Sequence, residues 1–149
     1  MRSWPHAEAE LTGGVLQTMN ESNEMKSPRD PAIRITLLPR DTNSAGTIFG
    51  GVILSYIDMA GAIEAHRQTR MPRFVTVAMR EVIFHKPVFV GDLVSFYAET
   101  VRIGTTSITI RVIVETERVG AATEQLRVTE AEVIYVAVDE NRQKTKIKT

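Results

Sequence analysis

The segment Val52-Ile53-Leu54-Ser55-Tyr56-Ile57-Asp58-Met59-Ala60-Gly61-Ala62-Ile63 most constrains what this chain can become. It is nearly continuous in apolar residues and reads as the middle of a helix running from about Gly50 to Gln68, ended by Arg67, Arg70 and Pro72. Val52, Ile53, Leu54, Tyr56, Ile57, Met59, Ile63 and Ala65 cover most of the helix circumference, and such a helix must be surrounded. Asp58 and Glu64 interrupt the run, which excludes a transmembrane span.

The rest of the chain supplies the surroundings. Ile33 to Leu38 reads as a strand, ended by Pro39. Phe74–His85, Leu93–Arg102, Ser107–Glu117 and Leu126–Val138 are further strands separated by short turns. The alternation is clearest in the third of these, where Ile108, Ile110, Val112 and Val114 share one face. Glu130 and Glu132 disturb the phase of the last strand, as a bulge would. Long strands joined by short turns are antiparallel neighbours. The expected fold is α+β: a five- to six-stranded antiparallel sheet curved around one central helix, the hotdog arrangement, with a one-sided α+β sandwich as the alternative. One sheet leaves an open edge and a partly uncovered helix, so at least a homodimer is expected. Residues 1–30 are polar and broken by proline and read as a mobile arm. Residues 31–139 form the folded unit and 140–149 a polar, basic tail.

The 18 basic and 18 acidic residues balance, which removes the broad basic field that nucleic acids or anionic membranes would require. There is no cysteine, so disulfides and thiol catalysis are excluded. His6, His66 and His85 have no metal-ligand spacing, so no metal site is expected. Nucleophile-elbow, P-loop and dinucleotide fingerprints are absent. No secretory signal is legible at the N-terminus, which points to the cytoplasm.

Asp58 is the residue out of place. A buried carboxylate costs several kcal/mol unless it is hydrogen-bonded or used. Gly51 lies seven residues earlier and nearly in line with it on the helix, about 10 Å away along the axis. First-turn N–H groups lack intrahelical acceptors and sit at the positive end of the macrodipole. A glycine there lets a carbonyl approach, as an oxyanion hole requires. Asp58 would then activate water or attack the carbonyl itself, although the separation is long for direct attack at its own Gly51 unless a second chain supplies one of the groups. The alternative is an aspartate at a wet helix edge or bonded to a neighbouring strand. Asn43, in the loop Asp41–Thr47, either shapes that loop or orients water. Gly104-Thr105-Thr106-Ser107 is a hairpin turn that could also cradle phosphate, with Lys86 as another phosphate partner. Phe49, Tyr56 and Met59 are candidates for setting pocket depth.

Together these residues resemble one family. Pro39 to Gly61 (PRDTNSAGTIFGGVILSYIDMAG) looks like the signature of YciA-like hotdog acyl-CoA thioesterases. Phe84-His85-Lys86-Pro87-Val88-Phe89-Val90-Gly91-Asp92, Gly104 to Ser107, and Tyr135-Val136-Ala137-Val138-Asp139 follow in the expected order. The resemblance covers roughly 33–139 and implies hydrolysis of acyl-CoA to free acid and CoA without a cofactor. It implies Asp58 as base or nucleophile, Gly51 N–H as oxyanion donor, and Asn43 assisting from across a subunit interface. It places CoA against Gly50, Lys86, Pro87, Gly104, Thr105, Thr106 and Ser107, and implies dimers assembled into hexamers. Departures are the longer N-terminal arm and a short C-terminal tail. Two other readings compete. A non-catalytic acyl-CoA sensor would need an output element the arm is too short to supply. A hydratase or dehydratase would pair a histidine with an acid, which neither His66 nor His85 does well.

Overall fold

The structure is a computed structural model describing residues 29–118, 120 and 124–149. Helix α1 spans Gly50–Gln68, and the strands are β1 (Ile33–Thr36), β2 (Phe74–Phe84), β3 (Leu93–Ile103), β4 (Ser107–Arg118) and β5 (Glu124–Ala137). They form a five-stranded antiparallel sheet in the order β1-β3-β4-β5-β2. The first strand is shorter than its pattern suggested. Pairing with β3 ends at Thr36 opposite Leu93, and the chain then turns into a 3-10 segment at Pro39–Asp41.

The alternation of β4 is realised in full. Ile108, Ile110, Val112 and Val114 are completely buried against the helix. The disturbance in β5 is a bulge, since Val114 faces Thr129 while the next residue, Glu115, faces Arg127, leaving Val128 unpaired. The bulge resets the phase, so Ala131, Val133 and Tyr135 face the core and Glu130 and Glu132 the outside.

No proline interrupts α1, and extended backbone at Phe49 and Thr69 bounds it. Thr69 Oγ1 donates to the carbonyl of Ala65 (2.8 Å), and His66 and Arg67 complement the negative end of the dipole. The helix buries one stripe, Ile53, Ile57, Ala60, Gly61, Glu64 and Ala65, on the sheet. Each fully buried isoleucine is worth about 1.5–3 kcal/mol. The opposite face is left uncovered: Met59 is 47% exposed and Phe49, just before the helix, 57%. Strand β2 also has one edge unpaired among the described residues, with Val75, Val77 and Ile83 exposed on it.

The expected arm, 1–30, lies almost wholly outside the described residues. The polar tail folds back on the domain. Lys144 bridges to Val138, Ile147 N–H donates to Thr105 O (2.9 Å) and its side chain packs on the core, and Lys148 O accepts from Arg70 N–H (3.1 Å). The folded unit therefore runs past residue 139.

Candidate active site

Two backbone bonds pin the start of α1: Ile48 N–H donates to Val88 O (2.8 Å) and Phe49 N–H to Asp41 O (2.8 Å), while Leu38 N–H caps the preceding 3-10 turn on the Asp41 carboxylate (2.9 Å). Val52 and Ile53 N–H groups both turn back to Phe49 O, while those of Gly50 and Gly51 have no acceptor among the described residues. Nothing inside the chain requires glycine here. A Cβ on Gly51 would meet only the Phe49 ring at 3.5 Å, an ordinary contact, and one on Gly50 the Phe84 ring at 3.5 Å. The missing side chain instead leaves the Gly51 N–H open on an exposed turn, with the macrodipole behind it.

Asp58 differs from expectation. It is half-buried in the single chain, and the acid this chain buries in its apolar run is Glu64, 8% exposed, which accepts from Gln68 Nε2 (2.8 Å) and Thr100 Oγ1 (3.3 Å). Helical geometry explains the exchange. Glu64 follows Ile57, Ala60 and Gly61 on the stripe facing the sheet, whereas Asp58 stands at its border beside β2. Composition marks an apolar run but not which arc of it one sheet covers. Asp58 is nonetheless held. Thr76 Oγ1 on β2 donates to Asp58 Oδ1 (2.7 Å), and the Tyr135 hydroxyl on β5 donates to the Asp58 backbone carbonyl (2.6 Å). Burial first, then the neighbouring Asp58 charge, push the Tyr135 hydroxyl well above the usual tyrosine range, so it remains a donor. Thr76 and Tyr135 were missed as site residues. Tyr135 is buried and Thr76 exposed on its strand, so only the β2–β5 register, which sets them opposite each other, shows that both meet Asp58.

The Asn43 side chain is largely spent on its own loop. Oδ1 accepts from Ala45 N–H (2.9 Å), Thr47 N–H (3.2 Å) and Thr47 Oγ1 (3.3 Å), and Nδ2 donates to Thr47 Oγ1 (3.0 Å). One Nδ2 hydrogen is left. A cleft of about 290 Å³ brings Gly50 together with Phe84, Lys86 and Pro87. The hairpin Gly104–Ser107 is not part of it. Lys86 N–H bonds Val128 O beside Thr129, whereas Ser107 pairs with Val136, about 23 Å further along the sheet at about 3.3 Å per residue. The expected single CoA cradle of Lys86, Pro87, Gly104, Thr105, Thr106 and Ser107 thus does not form within one chain. Its backbone is also occupied: Gly104 N–H donates to Ser107 O (2.7 Å), and Thr105 O and Thr106 O accept from Ile147 and Ala137 N–H.

Both histidines of the described region point elsewhere. His66 Nδ1 contacts Met71 O (3.0 Å), and His85 Nε2 faces Glu130 at 3.6 Å. Among the described residues no group of three His, Asp or Glu side chains could hold a metal ion, and no helix is long and apolar enough to cross a membrane. Of the pocket-depth candidates, Tyr56 packs on Phe96 (5.6 Å between ring centres), while Phe49 and Met59 look out from the uncovered face.

Comparison with known proteins agrees with this fold. The family described as the Thioesterase superfamily matches residues 45–122. The acyl-CoA thioester hydrolase YciA of Escherichia coli K12 is 41% identical over 112 residues, 74% of this chain and 84% of that protein. The crystal structure of Cj0915, a hexameric hotdog fold thioesterase of Campylobacter jejuni, superposes with a TM-score of 0.75 at 45% identity, covering 79% of this chain and 90% of that one. The hexameric thioesterase y2039 of Yersinia pestis gives 0.75 at 38% identity, covering 82% and 98%.

Proposed function

Because this chain belongs to the thioesterase superfamily, with YciA-type acyl-CoA thioester hydrolases among its relatives, we propose that it hydrolyses acyl-CoA to a free carboxylic acid and CoA, with Asp58 as general base and Gly51 N–H as oxyanion donor. The observation that carries this reading is the pairing, on one helix face, of an N–H without an acceptor and a carboxylate clamped by Thr76. The thioester oxygen sits at Gly51, where the helix end stabilises its developing negative charge. The axial gap of about 10 Å to Asp58 accommodates the carbonyl and one water, which favours the general base over direct attack. Asp58 takes a proton from water as its oxygen bonds to the carbonyl carbon. The tetrahedral intermediate then expels the sulfur, which receives that proton. Water and acyl-CoA are consumed, acid and CoA are formed, and no cofactor is needed.

A second copy of the chain belongs to this proposal. Alone, Asp58 and Gly51 lie on an open face, where water weakens every electrostatic contribution. The free edge of β2 with Val75, Val77 and Ile83, and the uncovered apolar helix face, are the surfaces such a copy would cover. Asn43 would then assist a neighbouring Asp58 through its remaining N–H, and Lys86 and Pro87 beside Gly50 would meet CoA. The hairpin Gly104–Ser107 would contribute to CoA only from another subunit. We propose a hexamer built from dimers; Cj0915 and y2039 are themselves hexameric. The contacts of His66 and His85 weigh against a hydratase, which would pair histidine with acid.

The test is release of free thiol from a panel of short- to long-chain acyl-CoAs. Asp58→Asn keeps its fold and assembly and loses about 10²- to 10⁴-fold in kcat. Full activity in that variant would remove the role assigned to Asp58.

A further inference from the structure

We propose that Tyr135 is a positioning residue for the reaction, setting the orientation of Asp58 through that residue's backbone carbonyl. The inference rests on the thioesterase reading above. Tyr135 is 1% exposed and enters the helix from beneath. Its hydroxyl donates to Asp58 O at 2.6 Å. In the continuous helix that carbonyl also faces the N–H four residues on, so the tyrosine adds a second donor to this oxygen at the turn carrying the acid. The notch that admits it is Gly61. A Cβ there would lie 3.0 Å from two ring carbons of Tyr135 and closer still to its hydroxyl. Real Cβ atoms are essentially never found so near, so glycine and tyrosine form one fitted unit.

The second half of the argument is register. Tyr135 and Thr76 are direct cross-strand partners, and both point at Asp58. Thr76 grips the carboxylate at 2.7 Å and Tyr135 the main chain of the same residue. Two anchors on one hydrogen-bonded strand pair fix both where the Cα sits and where the carboxylate points. A positional error of about 1 Å in a catalytic group costs on the order of 10²-fold in rate. The ring has an edge-on partner in Phe74 (6.4 Å between ring centres), and the partner of its buried hydroxyl is the main chain of the acid itself, which couples the tyrosine to Asp58.

The test compares Tyr135→Phe in the wild-type and in the Asp58→Asn background, using the full-length assembled protein. Expected in the wild-type background is a fall of about 10- to 10²-fold in kcat with KM for acyl-CoA changed less than about twofold, measured well below the melting temperature. Expected in the Asp58→Asn background is no further loss, because the group being positioned is gone. Equal losses in both backgrounds, or unchanged kcat in Tyr135→Phe, would overturn the proposal. If Tyr135→Phe assembles poorly, Tyr135→Trp in place of it is not informative, whereas Gly61→Ala displaces the same hydroxyl from the helix side and must reproduce the kcat-selective loss. Failure of the broader reading looks different: Asp58→Asn itself would then remain fully active, overturning both together.

Discussion

Gly61→Ala separates local preference from tertiary fit. Alanine is favoured over glycine in a helix interior by about 1 kcal/mol, so Gly61 in the middle of α1 predicts a stabilised variant by propensity alone. The structure predicts the opposite. The new methyl would sit 3.0 Å from two ring carbons of Tyr135, a residue buried to 1% exposure. Overpacking of this kind costs about 1–3 kcal/mol. Displacing the hydroxyl from Asp58 O leaves a buried donor unpaired for about another 1–3 kcal/mol. The net expectation is a loss of roughly 1–5 kcal/mol after the propensity gain. Urea unfolding of wild type, Gly61→Ala, Tyr135→Phe and the double variant, at one fixed protein concentration, measures it. The double variant should be more stable than the sum of the single effects, because the hydroxyl is the atom nearest the added methyl. A Gly61→Ala protein as stable as wild type, or strict additivity in the cycle, would refute the fitted-notch argument.

Two further outcomes follow from named contacts. Val77→Lys places a charge on the unpaired edge of β2, where Val77 is 54% exposed; light scattering should show a smaller assembly with native circular dichroism, and thiol release should fall with it, whereas unchanged mass would remove β2 from the interface. The Tyr135 pKa is raised in the folded state, mainly by burial, so above about pH 10 an unfolded chain releases this proton while the folded chain keeps it. Its contribution is intact below that pH and is lost as pH rises, by up to about 1.4 kcal/mol per pH unit, so wild type should lose stability in alkali more steeply than Tyr135→Phe; parallel losses would contradict the assignment.

The sequence by itself determined the elements and the helix register. An apolar run between Gly50 and Gln68, bounded by loop residues and Pro72, admits one reading, and α1 has those limits. Period-two alternation placed Ile108 to Val114 in the core, and the phase change at Glu130 and Glu132 announced the bulge at Val128. Gly51 and Asp58 share a helix face because 3.6 residues per turn requires it. What only the tertiary structure decided is everything that depends on which strand lies beside which arc of the helix. Periodicity within one segment carries no information about contacts with another. So Glu64 rather than Asp58 became the buried acid, Thr76 and Tyr135 came to hold Asp58 through the β2–β5 pairing, and Gly104–Ser107 ended at the opposite end of the sheet from Lys86. The order β1-β3-β4-β5-β2 is a long-range choice made by burial of the whole core, and it sets which residues stand around the acid.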